Sequence, residues 1–220
     1  PWLRFCPVCV ASDRERVGEC YWHRVHQLPG VEICPIHEVV LENSSARAYG
    51  SKSRNEFTTA ERAIGPKSTD SHGLFPFHGH LLPLAQDASW LLSQIDLAVG
   101  PELLHARYKL ALLDRGLGSH NGLVKVSRLI ESFKAHYPPE LLTLLHCELD
   151  GQSRDNWLTR IVRSLNGFRH PLRHLLLIHF LGHTMQTFLQ LPTERHPFGS
   201  GPWPCLNRAS LHYRELRVQD

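Results

Sequence analysis

Four residues near the start of the chain have the types and spacing of metal ligands: Cys6, Cys9, Cys34 and His37. They read C-x2-C, a gap of 24 residues, then C-x2-H. Each hook puts two donor atoms on one short turn, the local geometry that a tetrahedral ion needs. Three thiolates and one imidazole close the coordination sphere, so the chemistry they predict is one structural zinc, with no open position for catalysis. His23 and His26 lie between the hooks, and their expected role is packing or hydrogen bonding beside the ligands.

Readings built on an open zinc fail on spacing. A nucleic-acid deaminase needs H-x-E ahead of P-C-x-x-C, whereas this chain has C-P-x-C and no H-x-E upstream of it. A metalloprotease needs H-E-x-x-H on one helix. Leu41 stands where His37-Glu38 would require the second His, and the pair His179 and His183 has no Glu after the first. That pair reads as polar inserts in a core helix. No catalytic residue is expected, and the chain is not read as an enzyme.

The elements that must position the ligands come from a chain of 220 residues and 25.1 kDa, enough to bury a core in one or two domains. Hydrophobic content of 42% excludes a disordered chain. The formal charge is only +3, so a basic surface must come from clustering; arginine supplies most of it, 19 Arg against 5 Lys. Cys20, Cys147 and Cys205 are isolated and form no disulfide framework, which predicts a reducing cytoplasm. The most apolar stretch, 172–191, is interrupted by His174, His179 and His183 and reads as a buried helix, not a membrane span. The chain opens Pro1-Trp2 and contains a single Met, Met185, so it reads as a fragment lacking an N-terminal region.

Periodicity divides the chain into four parts. Residues 1–42 form the zinc module, with short strands expected at 31–33 and 39–41 around the second hook. Residues 43–80 read as a polar linker. Residues 81–150 are helical: an apolar stripe of Leu84, Ala88, Leu91, Leu92 and Ile95, a helix over 102–115, and another over 119–136 striped by Leu123, Val126, Leu129, Ile130 and Phe133. Residues 151–220 hold an amphipathic helix over 153–165, a long helix over 171–191 and a tail rich in Pro and Gly. The predicted fold class is mostly α, a helical bundle with a helix-turn-helix-like unit behind a small zinc-binding α/β module.

Two groups of residues have nucleic-acid chemistry. In the helix pair 102–115 and 119–136, joined by a Gly-bearing turn, Ser119, His120, Asn121, Lys125 and Arg128 are expected at the start and on the outer face of the second helix. Asn and Arg can make bidentate contacts to adenine and guanine. Arg154, Arg160, Arg163, Arg169 and Arg173 form the densest basic run, suited to sequence-independent phosphate contact; the competing reading is a solvated helix face.

The run Leu3-Arg4-Phe5-Cys6-Pro7-Val8-Cys9, with Tyr21-Trp22-His23, Gln27-Leu28-Pro29-Gly30 and Cys34-Pro35-Ile36-His37, resembles the TniQ/TnsD family of transposon target selectors. The resemblance continues more loosely in Asn156-Trp157-Leu158 and in the segment from Pro197 to Trp203. It implies a DNA-binding target-site selector of a Tn7-like bacterial transposon, which binds double-stranded DNA at a chromosomal site. It also implies recruitment of an AAA+ ATPase regulator of the transposase, contact with other transposition proteins, no membrane, and a place on the bacterial nucleoid in the cytoplasm. A second reading stays open: an adaptor that links an RNA-guided complex to the same machinery without reading DNA sequence itself. The tail is similar to a second zinc knuckle of the family, but Ser210 stands where a Cys would complete it, so Cys205 and His212 are expected to hold no metal.

Overall fold

In the computed structural model, which describes residues 2–48, 57–65, 76–119, 121–149, 155–164, 170–194 and 201–218, the chain enters through strand β1 (Trp2–Phe5) and passes directly into helix α1 (Pro7–Val17). Pro7 occupies the first helical position, where its missing N–H is no loss. Gly18, at φ 89°, stops the helix in the left-handed conformation. A 3-10 turn (Arg24–Gln27) leads to the Leu28-Pro29-Gly30 corner, and strand β2 (Glu42–Arg47) returns antiparallel to β1, pairing Phe5 with Glu42 and Trp2 with Arg47. Residues 31–33 and 39–41, expected as strands, contribute a single bridge between Ile33 and Val40. The sheet is instead completed by residues read from the sequence as the start of a polar linker. Its inward positions are Ser44 and Ala46, too small and polar to give an apolar alternation. Within the same stretch, the short helix α2 (Ala60–Ala63) accepts a 2.9 Å hydrogen bond from Ser45 Oγ at the Ala63 carbonyl.

The rest is helical: α3 (His78–Ser93), α4 (Pro101–Asp114), α5 (Val126–His136), α6 (Pro139–Leu144), α7 (Trp157–Arg163), α8 (Pro171–Phe180) and α9 (Met185–Leu189). A short hairpin of β3 (Trp203–Pro204) and β4 (Leu216–Val218) closes the described chain. The fold is therefore mostly α behind a small α/β module, as its sequence predicts. Among the described residues no helix is long and apolar enough to cross a membrane.

Four helices differ from their predicted extents, α7 among them, which starts at Trp157 behind its Asn156 cap instead of at residue 153. α3 starts at His78 and ends at Ser93, so Ile95 falls beyond its C-cap and is 94% exposed instead of lining the inner stripe. α5 begins at Val126, and Leu123 is 70% exposed ahead of it. The long helix over 171–191 is two helices. Gly182, at φ 83°, ends the first turn of chain after α8, and Thr184 restarts helix in a capping box with Thr187. The buried Asp87 of α3 fixes this break, with Oδ2 at 2.6 Å from His179 Nε2 and accepting from Met185 N at 2.7 Å.

Module and bundle share one apolar core. Cys6, Val31, Ile33 and Cys34 belong to the same buried cluster as Leu81, Leu112, Phe133, Leu158 and Leu176. At the seam, Gly30 sits at φ 80°, and a Cβ there would come within 2.5 Å of Leu172 Cδ1 of α8. The Leu-Pro-Gly corner thus brings the module's backbone against Leu172 of the bundle.

Candidate metal centre and nucleic-acid surface

The two hooks arrive from different local structures. Cys6 ends β1 and caps α1, and its sulfur accepts from Cys9 N at 3.4 Å. Cys34 opens a tight turn held by Cys34 N to Val39 O at 2.8 Å and Glu38 N to Cys34 O at 2.9 Å, and its sulfur accepts from His37 N at 3.5 Å. Glu38, at φ 58°, takes the left-handed conformation that lets this turn close. In each hook, then, a backbone N–H donates to the sulfur of the first cysteine.

The four donor atoms converge. Cys9 Sγ lies 3.8 Å from Cys34 Sγ, and His37 Nδ1 lies 3.5, 3.3 and 3.7 Å from the sulfurs of Cys6, Cys9 and Cys34. A tetrahedron with metal–sulfur bonds of about 2.3 Å and metal–nitrogen bonds of about 2.0 Å has S···S edges of roughly 3.8 Å and S···N edges of roughly 3.5 Å. The cluster has the dimensions of a tetrahedral metal centre, and it can hold an ion. The three cysteines are buried, and hydrogen bonding from the Cys6 thiol, then from Cys9, pulls the Cys34 thiol far below its ordinary range. The same bonds to Cys34 push Cys6 and Cys9 up. A bound cation would favour the thiolate form of all three sulfurs and displace their protons.

His23 and His26 stand beside the ligands. His26 is 1% exposed with Nε2 at 4.0 Å from Cys9 Sγ, and its ring stacks on His23 at 4.9 Å. His23 Nε2 is 2.7 Å from the buried carboxylate of Asp13. Cys9, His23 and His26 form a second group of donors close enough for an ion, sharing Cys9 with the first. In the tail, Cys205 is buried, and His212 has Ser210 Oγ 3.0 Å from its ring nitrogens. In α8, His179 Nε2 lies 2.6 Å from Asp87 Oδ2.

The residues read as nucleic-acid contacts fall in two places. Ser119, Asn121 and Lys125 are not in the first turn of a helix. They belong to a hairpin between α4 and α5, in which Gly118 bridges Val124, Lys125 N donates to Leu117 O at 2.8 Å and Ser119 N to Leu123 O at 3.0 Å. Gly122, at φ 74°, completes the turn by donating to Ser119 O at 2.9 Å. Arg128 is exposed in the first turn of α5. His120, Arg154 and Arg169 lie outside the described residues.

In α7, Asn156 caps the helix in a box with Thr159, Trp157, Leu158, Ile161 and Val162 are buried, and Arg160 and Arg163 face out. Arg160 is paired fork to fork with Asp155, at 2.9 and 2.8 Å, and that pairing lowers the Asp155 carboxyl. Arg173 lies over the Trp157 ring at 5.4 Å and donates to the His146 carbonyl at 3.4 Å. Arg160 and Arg173 line one polar cleft of about 570 Å³ together with Glu148 and Asp155, so the basic run is partly answered by carboxylates. Sequence reasoning missed Lys109 of α4, whose side chain runs alongside Gly122, and Leu123 at the tip of the hairpin. The signal for both was Asn121-Gly122, a dipeptide that favours a hairpin turn over a helix cap.

The family model of Tn7-like transposition protein D matches residues 84–220, and the TniQ family model matches residues 1–41. No curated protein matches the chain.

Proposed function

On the premise that this chain belongs to the Tn7-like transposition protein D family, we propose that it selects the insertion site by binding duplex DNA and by recruiting an AAA+ ATPase regulator of the transposase. Its role in Tn7-like transposition follows from the family; the direct reading of DNA rests on one feature of the chain. From residue 115 to residue 130 there is no carboxylate, while Arg115, Lys125 and Arg128 are present, and this stretch forms the exposed hairpin and the first five residues of α5. In an otherwise nearly neutral chain, that concentration of cationic and amide side chains on an ordered surface matches a polyanion. Arg128 and Asn121 have the donors for base edges, and Arg160, Arg163 and Arg173 for backbone phosphate.

The proposed ion is zinc. Three thiolates and one imidazole at tetrahedral spacing are the donor set of structural zinc sites, and the ion's part is to hold β1, α1 and the second hook together. The reading includes no bond chemistry by the chain. Its contribution is geometric, an ordered surface for DNA on the bundle and a fixed module beside it.

The adaptor reading has a specific observation in its favour. Arg160 is engaged by Asp155, and Arg173 is packed on Trp157, so two of the predicted phosphate contacts already have intramolecular partners. One experiment separates the two. The zinc-loaded chain is used to retain sheared host genomic DNA at moderate salt, and the retained fragments are sequenced. Enrichment of one locus is expected for a target reader. Uniform retention that collapses with salt reduces the proposal to backbone binding, and no retention at all sinks it in favour of the adaptor.

A further inference from the structure

The hairpin between α4 and α5 carries an exposed leucine on a braced tip. Leu123 is 70% exposed, yet its backbone is fixed on both sides: its carbonyl accepts from Ser119 N at 3.0 Å and from Ser119 Oγ at 3.2 Å, and its N–H donates to Ser119 Oγ at 3.1 Å. The base of the hairpin is held by Lys125 N to Leu117 O, and by Lys125 Nζ to Gly116 O at 3.0 Å. A single exposed leucine is ordinary on a protein surface; what Leu123 adds is a backbone held on both sides and cationic neighbours. Around it stand Asn121, exposed at the tip, Lys125 at the base, and Lys109 from α4, whose ammonium would lie 3.9 Å from a Cβ on Gly122. No acidic residue occurs between Asp114 and Glu131.

We propose that this hairpin is a wing that enters the minor groove of the target duplex, with Leu123 packing against or between base steps, Asn121 on base edges, and Lys109 and Lys125 on the flanking phosphates. The inference rests on the DNA-binding reading above and assigns the contact to a turn instead of to the start of a recognition helix. The residue types fit a minor-groove reader. The groove offers acceptors at every A·T pair that an amide N–H can reach, cations are drawn into it, and an apolar side chain inserted between steps opens it. The rigidity of the turn matters, because an apolar wedge must hold its position while it unstacks a base step.

The test uses the whole zinc-loaded chain with a 30-bp A·T-rich duplex, a G·C-rich duplex of the same length and netropsin as a minor-groove blocker. Binding is followed by anisotropy across a salt series. Leu123→Ala is expected to weaken binding about tenfold with an unchanged salt slope, since it removes an apolar contact and no charge. Lys109→Ala is expected to reduce the slope by about one. Netropsin is expected to compete with the wild type and to have much less effect on Leu123→Ala. Leu123 points into solvent, so thermal midpoints of the variants should match the wild type and exclude misfolding as the cause. If the wild type binds, and Arg128→Ala weakens it while Leu123→Ala does not, the wing is overturned and the DNA reading survives. If the wild type binds neither duplex, both fall. If Leu123→Ala binds DNA normally but no longer retains the ATPase regulator, the tip is a protein contact and the proposal is wrong.

Discussion

The N-terminal module and the helical bundle share a core but are held by different forces. In the bundle, Tyr108, Phe133, Tyr137, Phe180 and Phe188 are almost fully buried, and Phe133 packs on Trp157 at 5.5 Å and on Phe180 at 5.3 Å. Polar side chains there act as tethers between helices: Tyr137 OH donates to Leu176 O at 2.9 Å, and Tyr108 OH lies 2.9 Å from His174 Nδ1. In the module, the buried apolar side chains are fewer and smaller, chiefly Phe5, Val10, Val31, Ile33 and Leu41, and the four metal-ligand residues occupy the centre. A stretch of about forty residues cannot bury enough apolar surface to order itself. Coordination of a cation by these four donors would supply the order that packing cannot, and the bundle lends its apolar face to the rest.

The comparison is most easily broken by taking away the ion. A structural zinc contributes roughly 10–16 kcal/mol of apparent binding energy, far more than any side chain in the bundle. Chelation, or Cys34→Ser, is expected to strip amide-exchange protection from β1, α1 and β2 while α4, α5 and α8 stay protected. Loss of protection everywhere in one step would mean that the shared core, and not the ion, governs both parts. The Cys205 and His212 tail sharpens the same contrast: metal titration of the wild type should saturate at one equivalent, and His212→Ala should leave that value unchanged.

The next effect lies inside the bundle. Asp87 accepts from Met185 N and holds His179, both in buried surroundings. Asp87→Ala leaves two buried groups without partners, at a cost of roughly 2–4 kcal/mol, read as a lower denaturant midpoint. The metal stoichiometry should not change, because Asp87 is not part of the metal cluster. At the seam, Gly30→Ala forces a side chain into the left-handed conformation and against Leu172. Overpacking of this kind costs about 1–3 kcal/mol. Gly18→Ala, also at positive φ but with open space around it, should cost less, and the difference between the two isolates the contact with the bundle.

These two regions were also unequally legible in the sequence. The convergence of Cys6, Cys9, Cys34 and His37 could be read, because C-x2-C and C-x2-H are local constraints that survive any arrangement of the rest. α4 could be read because its apolar periodicity and its start, Pro101 after Gly100, agree, whereas the apolar stripe of α7 carried the predicted helix to residue 153, ahead of its Asn156 cap. β2 could not: its inward residues are Ser44 and Ala46, and its strand character comes from pairing with β1, more than thirty residues away. The break between α8 and α9 left a signal in Gly182 and in Thr184 with Thr187, but an unbroken apolar pattern on both sides masked it. What fixes the break is Asp87, nearly a hundred residues earlier, and no local reading reaches that far. The hairpin at Asn121-Gly122 was lost to a different competition. Ser119 and Asn121 favour helix caps and tight turns alike, and only the bridge between Gly118 and Val124 decides between them.

The smallest expected effect separates the two regions by pH. In the bundle, His80 and His136 lie edge to face at 5.6 Å, with His179, Arg115 and the Tyr137 ring around them. Desolvation by burial lowers both imidazoles below their usual value of 6.5, and the neighbouring cationic groups add to the shift. Folded-state values below the unfolded value mean that the unfolded chain takes up protons first as the pH falls. Bundle stability is therefore level above about pH 6.5 and declines below it, with the carboxylates entering only at lower pH. Because both rings are partly solvated, the decline is shallow. Denaturant midpoints measured from pH 7.5 to pH 5.5 should show it, and the double change His80→Gln with His136→Gln should flatten it. A decline of the same slope in the double variant would place the titrating groups in the metal cluster, where protons compete with the ion for the three sulfurs and His37. In that case added zinc would restore the midpoint, which it cannot do for a proton taken up by His80 or His136.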